Sequence, residues 1–599
     1  MGSPVGNSPR VLAFVHAPMV IDEQSFGVRY IPLWAYTLAA YVPDDWNVSI
    51  YDCTRDAPSA IPGADVFAFS GINQDLETIL QAHRVLKARY PDAIFILGGP
   101  ICWSFDKDGR LDDLAVFDHL FLLDGEQALP DFLAALSSGQ TPPRVIRADR
   151  FPIGGVRKLR FDLLQPVVKQ YYGGIVEVSR GCPFLCEFCD IRVLPNNNEA
   201  HNKDVALIVS ELQEYYALGV RRVQLACDNF VGDLVWAREC VDAILAWVES
   251  TGAKMALYTW ATVNISRMPE LLVKMRRAGF TTFFIGVESF NANSILETAK
   301  VQNMNDSSQL VSALRSIQSF GFIIAPGLIF GFDSDPPSMF DDMIMGVQDA
   351  GLIGGDPTFL LALPGTPLYD RMKRTDRLVE DDSDDDADLP LHKKRVSKIE
   401  SNIRYLQPGQ FLVRGFTDFM RRFTDPQVMY TRFRTHMLVM MESPNFIPVH
   451  TVGYGGLGEY FKFQFASWRS MGVTAERILR LARPRIVWAV IKAAGLVARY
   501  WRRYPAARNH FTFWLFVWSN LLVKYPNLRE EDFKIQSLDE DYRLDKLWEE
   551  MSYADPALSA HGRNADNVKV ASQLRSTQGA IARLRDVWGV KYGRSDFDT

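Results

Sequence analysis

Cysteine is scarce in this 599-residue chain; there are seven, an odd number. The opening stretch, Met1 to Arg10, is polar and carries no apolar leader segment. It reads as a disordered lead-in (residues 1–10), and the sparse thiols argue against a disulfide framework and for a reducing, cytoplasmic setting. Uninterrupted apolar runs of membrane-spanning length are also missing. Charge of neither sign dominates: 65 Lys and Arg face 71 Asp and Glu, a net charge of −6, so the whole chain shows no nucleic-acid footprint. No Gly-x-Gly-x-x-Gly follows the first apolar run, which sets a dinucleotide-binding fold aside. What remains, 48% hydrophobic and 23% charged, is an ordinary globular composition, and the length implies about two to four domains.

Three of the cysteines, Cys182, Cys186 and Cys189, share one short stretch at a Cys-x3-Cys-x2-Cys spacing. The other four (Cys53, Cys102, Cys227, Cys240) are scattered. Thiolates so close together suit a soft metal centre, and three of them on a cubane iron–sulfur cluster leave one iron open to substrate. Structural zinc would need a fourth ligand, and His201, the nearest downstream histidine, does not complete a familiar zinc spacing.

Around that stretch the chain alternates between strand and helix patterns. Val11 to His16, Val48 to Asp52, Asp65 to Ser70, Ala93 to Leu97 and His119 to Leu123 read as five strands of a parallel, doubly wound sheet over residues 11–145. Ligands of such sheets sit at the carboxyl ends of the strands, where Ser70-Gly71, Gly98-Gly99 and Gly125 fall. Residues 146–172 read as a linker. From Gly173 about six further strand–helix units follow, up to residue 380, which read as a parallel barrel, complete or partial. Its strand ends carry Asp228-Asn229, Glu288-Ser289 and Gly331-Phe332-Asp333. An acidic run around residues 381–392 is a solvated loop. Residues 393–599 read as a mostly helical domain. There Ile486 to Trp501 and Phe511 to Tyr525 are apolar and aromatic-rich, interrupted by polar residues or flanked by arginines. Packing against the barrel is the preferred reading of these two helices, with peripheral membrane contact second.

The stretch Ser179-Arg180-Gly181-Cys182-Pro183-Phe184-Leu185-Cys186-Glu187-Phe188-Cys189-Asp190 resembles the signature of the cobalamin-binding radical S-adenosylmethionine (SAM) enzymes. The likeness runs in order over the first 380 residues, and the tail is similar to that of a subgroup containing hopanoid methylases. The resemblance implies an α/β fold with an N-terminal Rossmann-like cobalamin-binding sheet, a central partial TIM barrel and a helical C-terminal domain. It implies a 4Fe–4S cluster on Cys182, Cys186 and Cys189. It also places SAM near Asp228, Asn229, Glu288 and Gly331, and cobalamin near Ser70, Gln74, Gly98, Gly99, Gly125 and Glu126. The Asp-x-His-x-x-Gly sequence that lets a histidine ligate cobalt is absent.

The implied activity is transfer of a methyl group, by way of methylcobalamin, to an unactivated or aromatic carbon of a specialised metabolite such as a tryptophan or peptide-antibiotic precursor. The alternatives are methylation of a hopanoid or other lipid, and cyclisation or rearrangement without methylation. Implied partners are a small-molecule substrate and a flavodoxin- or ferredoxin-type electron donor. Three segments depart from the subgroup's pattern: Leu194-Pro195-Asn196-Asn197-Asn198 with Lys203, Cys227-Asp228-Asn229, and Thr259-Trp260-Ala261-Thr262. Cys227 itself reads as a buried, inert thiol.

Overall fold

The computed structural model describes residues 10–19, 30–300, 307–379, 399–449, 468–501, 504–505, 507–525 and 527–538. The N-terminal lead-in, the acidic run and the last sixty or so residues expected to be helical lie outside the described residues.

Six strands form the first sheet: β1 (Arg10–His16), β2 (Trp46–Asp52), β3 (Val66–Ser70), β4 (Ile94–Gly98), β5 (His119–Leu122) and β6 (Val145–Arg147). All pair in parallel, in the order β2-β1-β3-β4-β5-β6. Helices α1 (Leu33–Leu38), α2 (Leu76–Arg89), α3 (Pro100–Lys107) and α4 (Gly125–Ser137) cover both faces. Along β1, Leu12 and Phe14 enter one core while Ala13 and Val15 enter the other. That is why the strand reads as a continuous apolar run rather than an alternation. Two elements were not legible beforehand. Strand β6 is only three residues long and runs across the expected boundary into the segment read as a linker, and α3 starts on the Gly-Gly-Pro that reads as a turn. The chain reverses its winding between β1 and β3, so the carboxyl ends of these strands flank a crevice.

After β6 the connection is packed rather than free. Its short helix α5 (Phe161–Leu164) and residues Leu159, Leu164, Val168 and Tyr171 join the second core. The second sheet comprises β7 (Gly174–Glu177), β10 (Arg222–Ala226), β11 (Ala256–Trp260), β12 (Phe280–Glu288), β13 (Ile323–Phe330) and β14 (Asp356–Phe359). Two-residue strands β8 (Ser179–Arg180) and β9 (His201–Asn202) pair with each other beside it. The large sheet is wholly parallel, in the order β14-β13-β12-β11-β10-β7. Its end strands do not pair with each other, so this is a partial barrel. The helices on its outside are α6 (Val205–Ala217), α7 (Leu234–Thr251), α8 (Pro269–Arg277), α9 (Ala292–Glu297), α10 (Ser307–Ser319), α11 (Met339–Ala350) and α12 (Pro367–Arg374).

The C-terminal region is mostly helical, with α13 (Gly409–Phe423), α14 (Pro426–Met441), α15 (Trp468–Leu481), α16 (Pro484–Trp501) and α17 (Ala507–Lys524). It is not purely so: β15 (Ile399–Tyr405) pairs in parallel with β16 (Phe533–Ser537), where only helical periodicity had been expected. These helices share one hydrophobic core with the barrel. Trp514 and Trp518 on α17 are fully buried, and their indole N–H groups donate to the carbonyls of Met429 (3.1 Å) and Thr424 (2.9 Å). The preferred reading of α17 as a packing helix therefore holds. Helix α16 buries one face (Ile486, Ala489, Ala493, Leu496, Val497) and exposes Val487, Trp488 and Ile491 on the other. No helix among the described residues is long and apolar enough to cross a membrane.

Candidate active site

The carboxyl ends of the two sheets face each other across the cysteine stretch, and ionic contacts hold them there. Arg180, just before Gly181, reaches Glu177 on its own strand end (Nε–Oε1 2.8 Å) and Glu126 of the first sheet (2.6 Å), with Asp124 at 3.3 Å. Arg150 bridges Asp124 (3.0 Å) and the Asn197 amide oxygen (2.9 Å). On the other side Asp108, after α3, accepts from Tyr369 (2.9 Å) and Lys373 (3.0 Å) of α12. The indole N–H of Trp103 donates to the Val193 carbonyl.

The cysteine loop is fixed by its backbone. Gly181 has φ of +88°, a conformation open to glycine at no cost, and a Cβ there would run into the Asn197 and Glu199 carbonyls. Its N–H donates to Asp228 Oδ2 at 2.6 Å, and the Cys182 N–H donates to the Asn197 carbonyl at 2.9 Å. Asn197 thus has a concrete role in the stretch that departs from the subgroup's pattern. Lys203, at its end, is buried against Glu211 (2.6 Å) and does not face the loop. Glu187, between the second and third cysteines, is clamped by Arg371 of α12 through a two-pronged contact (2.7 and 2.9 Å).

All three cysteines are free thiols. Burial pushes the Cys182 thiol up to about 12 and the Cys189 thiol well above its ordinary value, with the neighbouring cysteines adding to both. No three ligand-type side chains among the described residues close on a single ion. Three neighbouring thiols on one loop fit a cubane cluster, which would take them as thiolates on separate irons.

Asp228 and Asn229 lie at the end of β10, beside this loop. Burial raises the Asp228 carboxyl to about 6. Asn229 is buried; its Oδ1 accepts from Val231 N–H and Thr262 Oγ1 (both 3.3 Å), while Nδ2 lacks a normal hydrogen bond. Cys227, between Thr259 Oγ1 (3.2 Å) and the Trp260 carbonyl (3.6 Å), is buried, and that burial pushes its thiol up to about 12.

Glu288 ends β12 at φ +61°, a strained position for a non-glycine residue, just after a register shift in the ladder. Its carboxylate pairs with Lys300 Nζ at 2.5 Å, and both are buried. Lys300 also lies 5.7 Å from the Phe188 ring. The pair therefore links the barrel strand to the cysteine loop. Gly331 (φ +94°) is packed against the Tyr405 ring, and its N–H donates to Asp335 Oδ2 (2.9 Å).

In the first sheet, Gly98, Gly99 and Ser70 meet at the ends of adjacent strands β3 and β4. Gly99 (φ +89°) lies so close to Ser70 Oγ and the Gly71 backbone that no side chain fits. Gly125 opens α4 and packs on Leu38, and Gln74 lies in the short turn before α2. Glu126 is drawn into the Arg180 contact, and burial, the larger effect, raises its carboxyl despite that arginine. At the crest Ile72 is 43% exposed, and Asn73 Oδ1 is buried without a partner. The sequence reading missed Arg180, Lys300 and Asn197 as positioning residues. Arg180 meets Glu126 from 54 residues away, Asn197 meets Arg150 from 47 and Lys300 meets Glu288 from 12, so no local spacing marks these contacts.

Residues 176–345 match the model of the radical SAM superfamily, and residues 366–531 match a domain of unknown function known as DUF4070. The chain is 29% identical over 428 residues to a hopanoid C-2 methylase of Rhodopseudomonas palustris, covering 70% of this chain and 76% of that protein. It is 30% identical over 354 residues to an uncharacterised methyltransferase of Synechocystis sp., covering 58% and 64% respectively. Its fold is similar to that of OxsB, a cobalamin-dependent SAM radical enzyme solved with aqua-cobalamin and SAM bound (TM-score 0.52, 14% identity, 91% of this chain and 84% of that one). The cysteine loop sits where this barrel's strands end, the matched segment spans that loop, the end of β7 and all of β10 to β13, and the chain is an enzyme that carries a radical SAM domain.

Proposed function

We propose that this protein is a cobalamin-dependent radical SAM methyltransferase acting on a carbon of an apolar small molecule. The observation that carries this reading is the facing of two strand-end edges: a doubly wound sheet of flavodoxin-like order opposite the cysteine loop of a partial barrel. Together a cluster, SAM and cobalamin would supply a methyl group and the means to activate an unreactive carbon, chemistry no side chain here offers. The chain's part is to bind and to exclude water. Cys182, Cys186 and Cys189 would hold the cluster. Asp228, Asn229 and the Glu288–Lys300 pair would orient SAM at the mouth of the barrel. The crest formed by Ser70, Ile72, Asn73, Gln74, Gly98 and Gly99 would take the corrin. The orphaned Asn73 Oδ1 and exposed Ile72 suit a ligand with both amide and apolar surface. A flavodoxin- or ferredoxin-type protein would deliver electrons.

The partial barrel encloses a lumen of about 900 Å³, lined mostly by apolar atoms and reaching from Trp260, Glu288 and Ile329 down to the strand starts. That is at the upper end for small-molecule sites. It favours an acceptor larger and less polar than the tryptophan first considered, such as a lipid. Anaerobic reconstitution with iron, sulfide, cobalamin and SAM should give a protein that retains cobalamin through gel filtration and releases S-adenosylhomocysteine. Release of 5′-deoxyadenosine without S-adenosylhomocysteine would favour rearrangement instead, and failure to retain cobalamin would remove the reading.

A further inference from the structure

The lumen is not apolar throughout. At the end away from the cysteine loop its lining includes Arg276 and His510. Arg276 marks that end, because its Nη1 donates to the carbonyl of Phe280, the first residue of β12, at 3.0 Å. Glu288 closes the same strand at the other end, so the two ends of the lumen lie roughly 20–25 Å apart at the usual rise of a strand.

His510 belongs to a buried relay whose proton positions follow from its anchor. The Gln318 amide Nε2 donates to the Ala350 carbonyl at 2.6 Å, which fixes the orientation of the amide. Its Oε1 therefore faces His436 Nδ1, 2.6 Å away, and that nitrogen must carry the hydrogen. His436 Nε2 is then an acceptor and takes the Nδ1–H of His510 at 2.9 Å. His510 is left with its Nε2 lone pair, which has no protein partner among the described residues. Burial, with His436 and Arg276 adding to it, holds His510 well below its ordinary value, and burial holds His436 at about 3, so both rings are neutral. Arg276 spends Nε on the Ile447 carbonyl (3.2 Å) and Nη1 on Phe280, leaving Nη2 without a described partner. Burial lowers its guanidinium to about 9, which leaves it charged at neutral pH.

A fixed acceptor and a cationic donor at one end of an apolar chamber select a particular group. A carboxylate would meet the His510 lone pair, and an ammonium would meet Arg276. A hydroxyl satisfies both, donating to one and accepting from the other. We propose that His510 and Arg276 form a hydroxyl-binding subsite at the far end of the lumen, and that the substrate is an elongated, largely apolar alcohol whose reacting carbon lies toward Glu288. The proposal rests on the reading of the lumen as the acceptor chamber. Gln318 and His436 are positioning residues that hold the tautomer. Helix α17 supplies His510 and, with Phe513, Val517 and Leu521, the wall that the open side of the barrel lacks.

The test uses the full-length, cluster-reconstituted protein and dehydroergosterol, a fluorescent polycyclic alcohol, beside its analogue lacking the hydroxyl. Binding is read by energy transfer from the protein's tryptophans. The alcohol is expected to bind about tenfold more tightly than the analogue, the equivalent of one good hydrogen bond to a charged or fixed partner. His510→Phe should bring that ratio to about one while leaving the affinity for the analogue unchanged. Gln318→Met, which releases the tautomer without touching the lumen, should lower the ratio several-fold and carries the test if His510→Phe does not fold. Equal binding of the two probes by the wild type, binding of neither, or a preference that survives both substitutions would overturn the proposal. A protein that releases S-adenosylhomocysteine but shows no preference loses only this inference. One that shows the preference without turning over SAM loses only the methyltransferase reading.

Discussion

Arg180 is the residue whose replacement should separate the two sheets. Its guanidinium makes a two-pronged contact with Glu177 (2.8 and 3.0 Å), one contact with Glu126 (2.6 Å) and a longer one with Asp124 (3.3 Å), at a side chain only 17% exposed. Arg180→Met keeps the apolar stem and removes the charge. Asp124 retains Arg150, but the buried Glu126 and the half-buried Glu177 lose their nearest cation. Breaking a buried pair from one side costs about 3–5 kcal/mol, chiefly because the surviving charge is left unpaired. The sign with pH follows. Burial alone would raise the Glu177 carboxyl, but Arg180 outweighs it and holds that carboxyl below its ordinary value. Its contribution is thus present at neutral pH and lost as the pH falls below about 4.5. In the variant both carboxyls rise and take up protons earlier, so the deficit relative to wild type should shrink between pH 7.5 and pH 5. Urea midpoints at the two pH values measure this, urea leaving ion pairs unscreened. Iron content after reconstitution should fall as well, because Arg180 adjoins Gly181 and Cys182. A deficit under about 1 kcal/mol, or one equal at both pH values, would refute the description of Arg180 as the latch between the sheets.

Replacing Cys182, Cys186 and Cys189 together by Ala should abolish bound iron and visible absorbance; iron that survives the change would sink the cluster assignment. Lys300→Met should cost about 3–5 kcal/mol, and adding Glu288→Gln should recover much of it, since the double change removes both charges of a buried pair; additive losses in thermal or urea unfolding would contradict that. Gly331→Ala places a methyl group inside the Tyr405 ring at a positive φ, so a loss of at least about 1–3 kcal/mol is expected, measured by melting temperature. His436 is held at about 3 by burial, so the folded protein binds fewer protons than the unfolded one below pH 6.5. Stability should fall by about 2 kcal/mol through this histidine between pH 7 and pH 5, and His436→Gln should lessen that acid sensitivity in urea titrations.

Much of the architecture was legible from local pattern. Parallel strands buried on both faces write themselves as short apolar runs, and small residues mark their ends, so Val11 to His16 and Asp65 to Ser70 fall within a residue or two of β1 and β3. The cysteine spacing is equally local, and it singled out the three thiols proposed to hold the cluster. Two strands escaped: β6 has only three residues, and β15 writes its alternation on just Ile399, Ile403 and Tyr405 with the polar Ser401 between them.

The amino-acid sequence by itself determined the class of the enzyme, because cluster ligation needs three thiols on one loop and the strand–helix rhythm needs only neighbours. Tertiary structure alone decided how the site is closed. Arg180 meets Glu126 across 54 residues, Arg371 meets Glu187 across 184, and His436 meets Gln318 across 118. Such contacts are set by how sheets and helices stack, which no window of sequence encodes. The same holds for α17. Its composition favoured packing against the barrel, and only its place along the open side of the barrel puts His510 on the lining of the lumen.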